Sequence, residues 1–167
     1  MLRLKPLPPG LRFGSPVVLL ATWFGSGLMP IASGSWGSAA ALPFAYLILR
    51  AGGPDAGAFL LGGAALVVFV VGVWAAGIYA RHAGVGDPGA IVIDEVAGQW
   101  LTLTVAPPRL IEFALGFFLF RLFDVLKPWP ANWADRSVKG GFGVMLDDVF
   151  AGIYAALVLW GIERWLI

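Results

Sequence analysis

Residues 57–80 read GAFLLGGAALVVFVVGVWAAGIYA, 24 consecutive positions without a charged side chain. About 20 apolar residues at 1.5 Å each span the hydrocarbon layer of a bilayer, so this stretch predicts a transmembrane helix. Four further apolar runs, 38–49, 91–106, 110–126 and 144–162, are shorter or interrupted. Their charges lie near one end, apart from Glu112 and Arg121, so each is read as a further crossing. The run 16–24 is half the needed length before it meets Gly25-Ser26-Gly27 and Pro30, and is read as interfacial or re-entrant. A cleaved secretory signal is the lesser reading of this start, because the rest of the chain is itself apolar. The expectation is all-α: a polytopic membrane helical bundle of about four to six segments. It forms a single membrane-embedded domain over 1–167, with 1–15 as a cytoplasmic amino-terminal segment.

Composition agrees and excludes. Of the 167 residues 59% are hydrophobic and 13% charged, which no water-soluble domain of this size approaches. The formal charge of +1 gives no footprint for nucleic acid. The absence of cysteine removes thiol nucleophiles, iron–sulfur clusters and thiolate zinc sites. Counting basic residues by loop, with the amino terminus cytoplasmic and five later crossings, places Arg3, Lys5, Arg12, Arg81, Lys127, Arg136 and Lys139 inside. Only Arg50, Arg109 and Arg164 fall outside.

That topology has a consequence for the acids. Asp94 and Glu95 fall in the first turn of one helix, Asp147 and Asp148 in the first turn of another, and Asp124 in the last turn of the helix between. All five carboxylates then arrive at one depth below the cytoplasmic interface. An acid in a membrane segment costs at least ~2.5 kcal/mol on insertion scales, so the group needs cations or water. Structural ion pairs can absorb Asp124, which has Arg121 and Lys127 within one turn. They cannot absorb two adjacent acidic pairs with no base within four residues. A divalent metal answers better, since Mg²⁺ takes carboxylate, water and phosphate oxygens. An ion or proton pathway remains the other reading, and with it a cation- or proton-coupled small transporter. Such a transporter would spread its acids along a path and show repeated halves, whereas these acids lie on one side and no repeat is visible.

Beside the acids, Arg121, Lys127, Arg136 and Lys139 suit a phosphate group. Arg121, inside an apolar helix, requires a partner. Two glycine-rich stretches precede helices: Gly34-Ser35-Trp36-Gly37-Ser38, with Ser38 as N-cap, and Gly140-Gly141-Phe142-Gly143. Backbone N–H groups at such starts can cradle an anion, and tight turns are the plainer reading of both. His82, the one histidine, is read as an interfacial side chain rather than a general base. Gly62, Gly63, Gly72 and Gly77 permit close helix packing, within one chain or between two copies.

With these residues in hand the chain resembles the phosphatidylglycerophosphatase A family. The resemblance rests on Gly25-Ser26-Gly27-Leu28 with Gly37-Ser38, and on Ile91-Val92-Ile93-Asp94-Glu95 with Gly98, Gln99 and Trp100. It continues through Phe120-Arg121-Leu122-Phe123-Asp124, Lys127-Pro128-Trp129-Pro130, Asp135-Arg136, Gly140-Gly141, Asp147-Asp148 and Gly152. The order is the family's and covers most of the chain. One departure is Ser33-Gly34-Ser35, where the family tends to have Pro-Gly-Thr; the hydroxyl survives at Ser35.

The resemblance implies a bacterial inner-membrane, multi-pass enzyme with its site facing the cytoplasm. It also implies Mg²⁺ dependence and removal of the terminal phosphate from the lipid phosphatidylglycerophosphate, the last step of phosphatidylglycerol synthesis. It carries catalytic and metal-binding roles onto Asp94, Glu95, Asp124, Asp147 and Asp148, and phosphate binding onto Arg121, Lys127 and Arg136, beside Ser35 and Ser38 of the first glycine stretch. Asp87, in Gly86-Asp87-Pro88-Gly89, also resembles a family position, although an Asp before Pro is often a turn residue. In-line attack by water and an aspartyl-phosphate route are both compatible with these residues. The Asp-x-x-Asp-Gly-x-x-Ala-Arg signature of the CDP-alcohol phosphotransferases is missing.

Overall fold

The computed structural model describes residues 3–165; of the amino-terminal segment 1–15, residues 1 and 2 lie outside the described residues, as do 166 and 167. Six α-helices follow one another: α1 (Pro16–Ala21), α2 (Ser33–Ala83), α3 (Ile93–Leu103), α4 (Leu110–Leu126), α5 (Ala131–Ser137) and α6 (Gly140–Trp165). A 3-10 turn, Ser26–Leu28, joins the first two. The all-α expectation holds. Two of these helices, α2 and α6, are long and apolar enough to cross a membrane.

The runs 38–49 and 57–80 both fall within α2, which is broken at Gly53 (φ 63°, ψ −168°). Pro54 follows, lacking an N–H and disfavouring helical geometry at the residue before it. The chain folds back at this point. A Cβ on Gly57 would lie 2.7 Å from the carbonyl oxygen of Leu49, eight residues earlier. In a straight helix those residues would be about 12 Å apart along the axis. The two arms of α2, 33–52 and 54–83, therefore form a hairpin.

The short helices differ from the sequence expectation in instructive ways. α1 stops where Trp23 (φ 43°), Phe24 (φ 56°) and Gly25 (φ 95°) turn left-handed. Its six residues make about 9 Å of helix, too short to cross. It is anchored by Val18 and Ala21, both fully buried, and by the Val92 N–H donating to the Ala21 carbonyl at 2.8 Å. The run 91–106 yields only the 11-residue α3, about 16 Å long. That is about half the hydrocarbon thickness. The polar connection 127–143 contains α5 and the first residues of α6.

α3 is the centre of the bundle, with nine of its 11 residues buried against α2, α4 and α6. Side-chain contacts fix the directions. Trp100 Nε1 donates to the Ala41 carbonyl at 2.9 Å, so the first arm of α2 runs alongside α3. A Cβ on Gly152 would lie 2.7 Å from the Gly98 carbonyl oxygen, so α6 crosses α3 there almost backbone to backbone. Gly116 of α4 faces Leu103 and Leu159, so α4 runs against both. The amino-terminal ends of α2, α3 and α6 and the carboxyl-terminal end of α4 consequently meet at one end of the molecule.

The outer surface is apolar. Phe59, Leu66, Val67 and Val70 of α2, Leu110, Ile111 and Phe118 of α4, and Leu157 and Trp160 of α6 are all exposed. Asp94, Gln99, Glu112, Asp147 and Asp148 are buried. An exterior of this extent without polar cover marks a surface made for lipid or a partner rather than for water.

Candidate active site

Asp94 and Glu95 occupy the first turn of α3, where the positive end of the helix favours carboxylates. Asp94 Oδ1 accepts the Glu95 N–H at 3.0 Å. Opposite them stand Asp147 and Asp148. α6 begins at Gly140 rather than at the acids, so both lie two turns inside it and not in the first turn that the sequence suggested. The glycines at 140, 141 and 143 belong to its first turn and do not precede the helix.

Adjacent residues on a helix project about 100° apart, and the structure uses that angle. Asp148 turns towards α3, where Asp94, Glu95 and Asp148 each offer one carboxylate oxygen and all three oxygens lie within 4.8 Å of one another. Asp147 turns towards Lys127, whose Nζ is 2.5 Å from Asp147 Oδ2 and 2.7 Å from Asp135 Oδ1. Lys127 takes a left-handed conformation (φ 44°) at the end of α4. Burial alone would lower its pKa, but Asp135 and Asp147 together hold the ammonium above its ordinary range.

The five sequence-predicted acids therefore divide into three arrangements. Asp94, Glu95 and Asp148 converge; Asp147 belongs to Lys127; Asp124 belongs to Arg121, whose Nη1 lies 2.5 Å from Asp124 Oδ2 and 3.6 Å from Glu95 Oε1. The partner required of Arg121 is thus Asp124, with Glu95 behind it. No cation pairs with Asp94 or Asp148 among the described residues. Glu95 Oε2 and Asp148 Oδ2 are buried without a hydrogen-bond partner. Buried anionic oxygens left this way are what a hard divalent cation coordinates, so the residues fit one.

The first turn of α2 closes the site from above. A Cβ on Gly34 would collide with Glu95 Oε1 and approach Arg121 Nη1 to 2.8 Å, so only glycine lets this helix start rest on the ion pair. Ser35, half-buried, shares that turn with its unpaired backbone N–H groups. Ser38 does not cap the helix. The N-cap position is Ala32, and the Ser38 hydroxyl, fully buried, donates to the Gly34 carbonyl at 2.9 Å. Arg136 is exposed on α5 and forms no ion pair among the described residues. His82 is exposed, with Nδ1 3.1 Å from the Ile78 carbonyl oxygen, apart from the acids.

Some groups at this end were not identifiable as site residues from sequence. Lys5 Nζ donates to Ser33 Oγ at 2.7 Å and to the Gly89 carbonyl, tying the amino-terminal segment to the start of α2. Partial burial lowers its pKa while the charge of Glu95 works against that shift. The sequence presents Lys5 only as one more inside-loop charge, 28 residues from Ser33. Asp135 enters through Lys127. Between these elements a pocket of about 230 Å³ opens, lined by Asp87, Asp135, Lys139 and Asp147 together with Val138, Val144 and three glycines.

The molecule is thus a helical bundle with an apolar exterior, two helices long and apolar enough to cross a membrane, and an acidic centre at the end where helix amino termini meet. The family model for phosphatidylglycerophosphatase A matches residues 19–163, and the chain belongs to that family. It is 42% identical to Phosphatidylglycerophosphatase A of Escherichia coli K12, covering 90% of this chain and 85% of that protein. With the Haemophilus influenzae Rd protein of the same name it shares 38% identity over 92% of each. A Bacteroides thetaiotaomicron protein, provisionally named a phosphatidylinositol-3-phosphatase, is 36% identical over 90% of this chain and 94% of its own length. No solved structure matches.

Proposed function

We propose that this protein is a Mg²⁺-dependent phosphatase that removes the terminal phosphate of phosphatidylglycerophosphate at the cytoplasmic face of a bacterial inner membrane. The observation that carries this reading is the convergence of Asp94, Glu95 and Asp148, to which Arg121, 3.6 Å from Glu95, is the one paired cation among the described residues, within a family named for that activity. Asp94, Glu95 and Asp148 would hold the metal, with Asp124 and Asp147 steadying Arg121 and Lys127 beside it. Bound there, Mg²⁺ would neutralise phosphoryl charge and acidify the attacking water.

The chain's own groups supply the rest. Arg121 and Lys127 orient the phosphomonoester and offset its charge, and Arg136 is placed to reach it from the surface of α5. The first-turn amides of α2, with Ser35, present donors at the positive end of a long helix. In-line attack by water needs no side-chain nucleophile, and Asp124 and Asp147 are already engaged with Arg121 and Lys127; recovery of phosphate covalently attached to an aspartate would replace that route with an aspartyl-phosphate one.

The membrane placement is argued from charge. Lys5, Arg81, Lys127, Arg136 and Lys139 gather at the acidic end, and Arg50, Arg109 and Arg164 at the other, as cytoplasmic and outer loops require. Multiple crossings follow if both arms of α2 span along with α4 and α6, around the short, enclosed α3. A headgroup at the interface then reaches the carboxylates while its acyl chains stay in the bilayer.

The test is phosphate release from phosphatidylglycerophosphate by detergent-purified protein, with Mg²⁺ or EDTA, beside Asp94→Asn and a phosphatidic acid control. The expected result is release that needs both the metal and Asp94. A folded preparation that releases phosphate from neither lipid overturns the reading.

A further inference from the structure

The proposed reaction leaves one question open in its own geometry, namely what at this site distinguishes a glycerophosphate headgroup from a bare phosphomonoester lipid. The pocket beside Asp147 supplies a candidate. It holds about 230 Å³, several times the ~30 Å³ share of one water, which is room for a three-carbon polyol. Asp147 lines it and is paired with Lys127, which the reading above sets on the terminal phosphate, so the pocket adjoins that position.

The chemistry of the lining decides what it can take. Asp87, Asp135 and Asp147 are acceptor-only groups when ionised. Three carboxylates around one opening repel a phosphate and welcome a hydroxyl. Lys127 is already held between Asp135 and Asp147 and offsets part of their charge. Asp147 is 6% exposed, and its Oδ1 is buried with no hydrogen-bond partner. An unpartnered acceptor on a residue that lines the pocket marks this wall as short of donors.

From this we infer that the pocket seats the three-carbon glycerol unit of the lipid headgroup, whose one free hydroxyl, on the central carbon, donates its hydrogen bond to Asp87 or Asp135. The carboxylate that accepts it is thereby specificity-determining; Asp135 in addition holds Lys127 beside the phosphate, which Asp87 does not. The inference rests on the phosphatase reading above and names the part of the substrate that reading leaves unassigned.

The experiment compares two lipids, phosphatidylglycerophosphate and an analogue whose headgroup is the phosphate of propane-1,3-diol, which lacks only the central hydroxyl. kcat/KM is measured for both with the wild type, Asp87→Ala and Asp135→Asn. A hydrogen bond to a charged group corresponds to roughly a 10- to 100-fold preference, so the wild type should favour the hydroxylated lipid by that ratio. The variant that removes the acceptor should bring the ratio to within about threefold of one, assigning the hydroxyl to that carboxylate, while the other variant keeps the ratio. Altered general electrostatics would move both lipids together and leave the ratio intact. A wild-type ratio near one, or a ratio kept in both variants, overturns the inference while leaving the phosphatase reading standing. Hydrolysis of neither lipid by the wild type removes that reading and this inference with it.

Discussion

The two ends of the bundle bury acids in different ways. At the end away from the site, Glu112 is 3% exposed and Glu163 15%, and one surface arginine, Arg109, serves both at 2.5 and 3.3 Å. At the acidic end, Arg121 and Lys127 are each engaged with two carboxylates, and still Asp94 and Asp148 face each other with no cation among the described residues. One oxygen of each far-end glutamate is also unpartnered, but each of those carboxylates has its charge answered. The far end therefore reads as structure. The acidic end is an arrangement that stability alone would not select, since uncompensated buried charge is destabilising.

That contrast predicts how substitutions divide. The largest effect on turnover falls on Asp94→Asn, which should reduce phosphate release by more than about 100-fold, beyond the 10- to 100-fold typical of groups behind a metal's ligands. Its unfolding midpoint should hold or rise, because a buried like-charge contact is relieved. A fall in stability comparable to that of breaking an ion pair would show Asp94 to be structural. Arg121→Leu should lose both: it strands Asp124 and Glu95, and removing one member of a buried pair costs about 3–5 kcal/mol, read by denaturant or thermal unfolding.

Metal dependence sharpens the same line. Saturating Mg²⁺ at about 100 times its dissociation constant should stabilise the wild type by roughly 2.7 kcal/mol and Asp94→Asn hardly at all. Arg109→Ala should behave in the opposite way. It should cost about 1–3 kcal/mol, less than a fully buried pair because Arg109 is 57% exposed, while leaving kcat and the Mg²⁺-induced shift as in the wild type. If Arg109→Ala also abolished the metal-linked stabilisation, the two ends would be one coupled system.

How much of this was legible in the sequence follows from range. Asp94 and Glu95 were placed in a first turn correctly, because a local apolar pattern fixes where α3 starts. That they would lie at the same end as the acids of α6 followed from the order of the helices, although only Asp148 converges with them. What periodicity could not give is which of two adjacent acids faces which neighbour, since that depends on where α6 begins, and glycines at 140, 141 and 143 look like a loop until helix packing recruits them. The hairpin in α2 falls between the separate apolar runs 38–49 and 57–80, whereas α3 proved shorter than its apolar run because Thr104 and the Pro107-Pro108 pair end it. Lys5 was invisible as a site neighbour because its contacts to Ser33 and Gly89 span 28 and 84 residues.

The smallest prediction separates two serines that the sequence treats alike. Ser35 sits in the first turn of α2 beside Gly34, whereas the Ser38 hydroxyl is bound to the Gly34 carbonyl one turn on, inside the protein. A serine bonding back to the i−4 carbonyl contributes little to a helix. Ser38→Ala should therefore change stability by less than about 1 kcal/mol and leave kcat within about twofold. Ser35→Ala should raise KM for the lipid several-fold at unchanged stability, the effect of one lost hydrogen bond to phosphate. Reversal of that order would mean that the Ser38 hydroxyl leaves the Gly34 carbonyl when substrate binds, so that the first turn of α2 rearranges instead of serving as a fixed edge of the site.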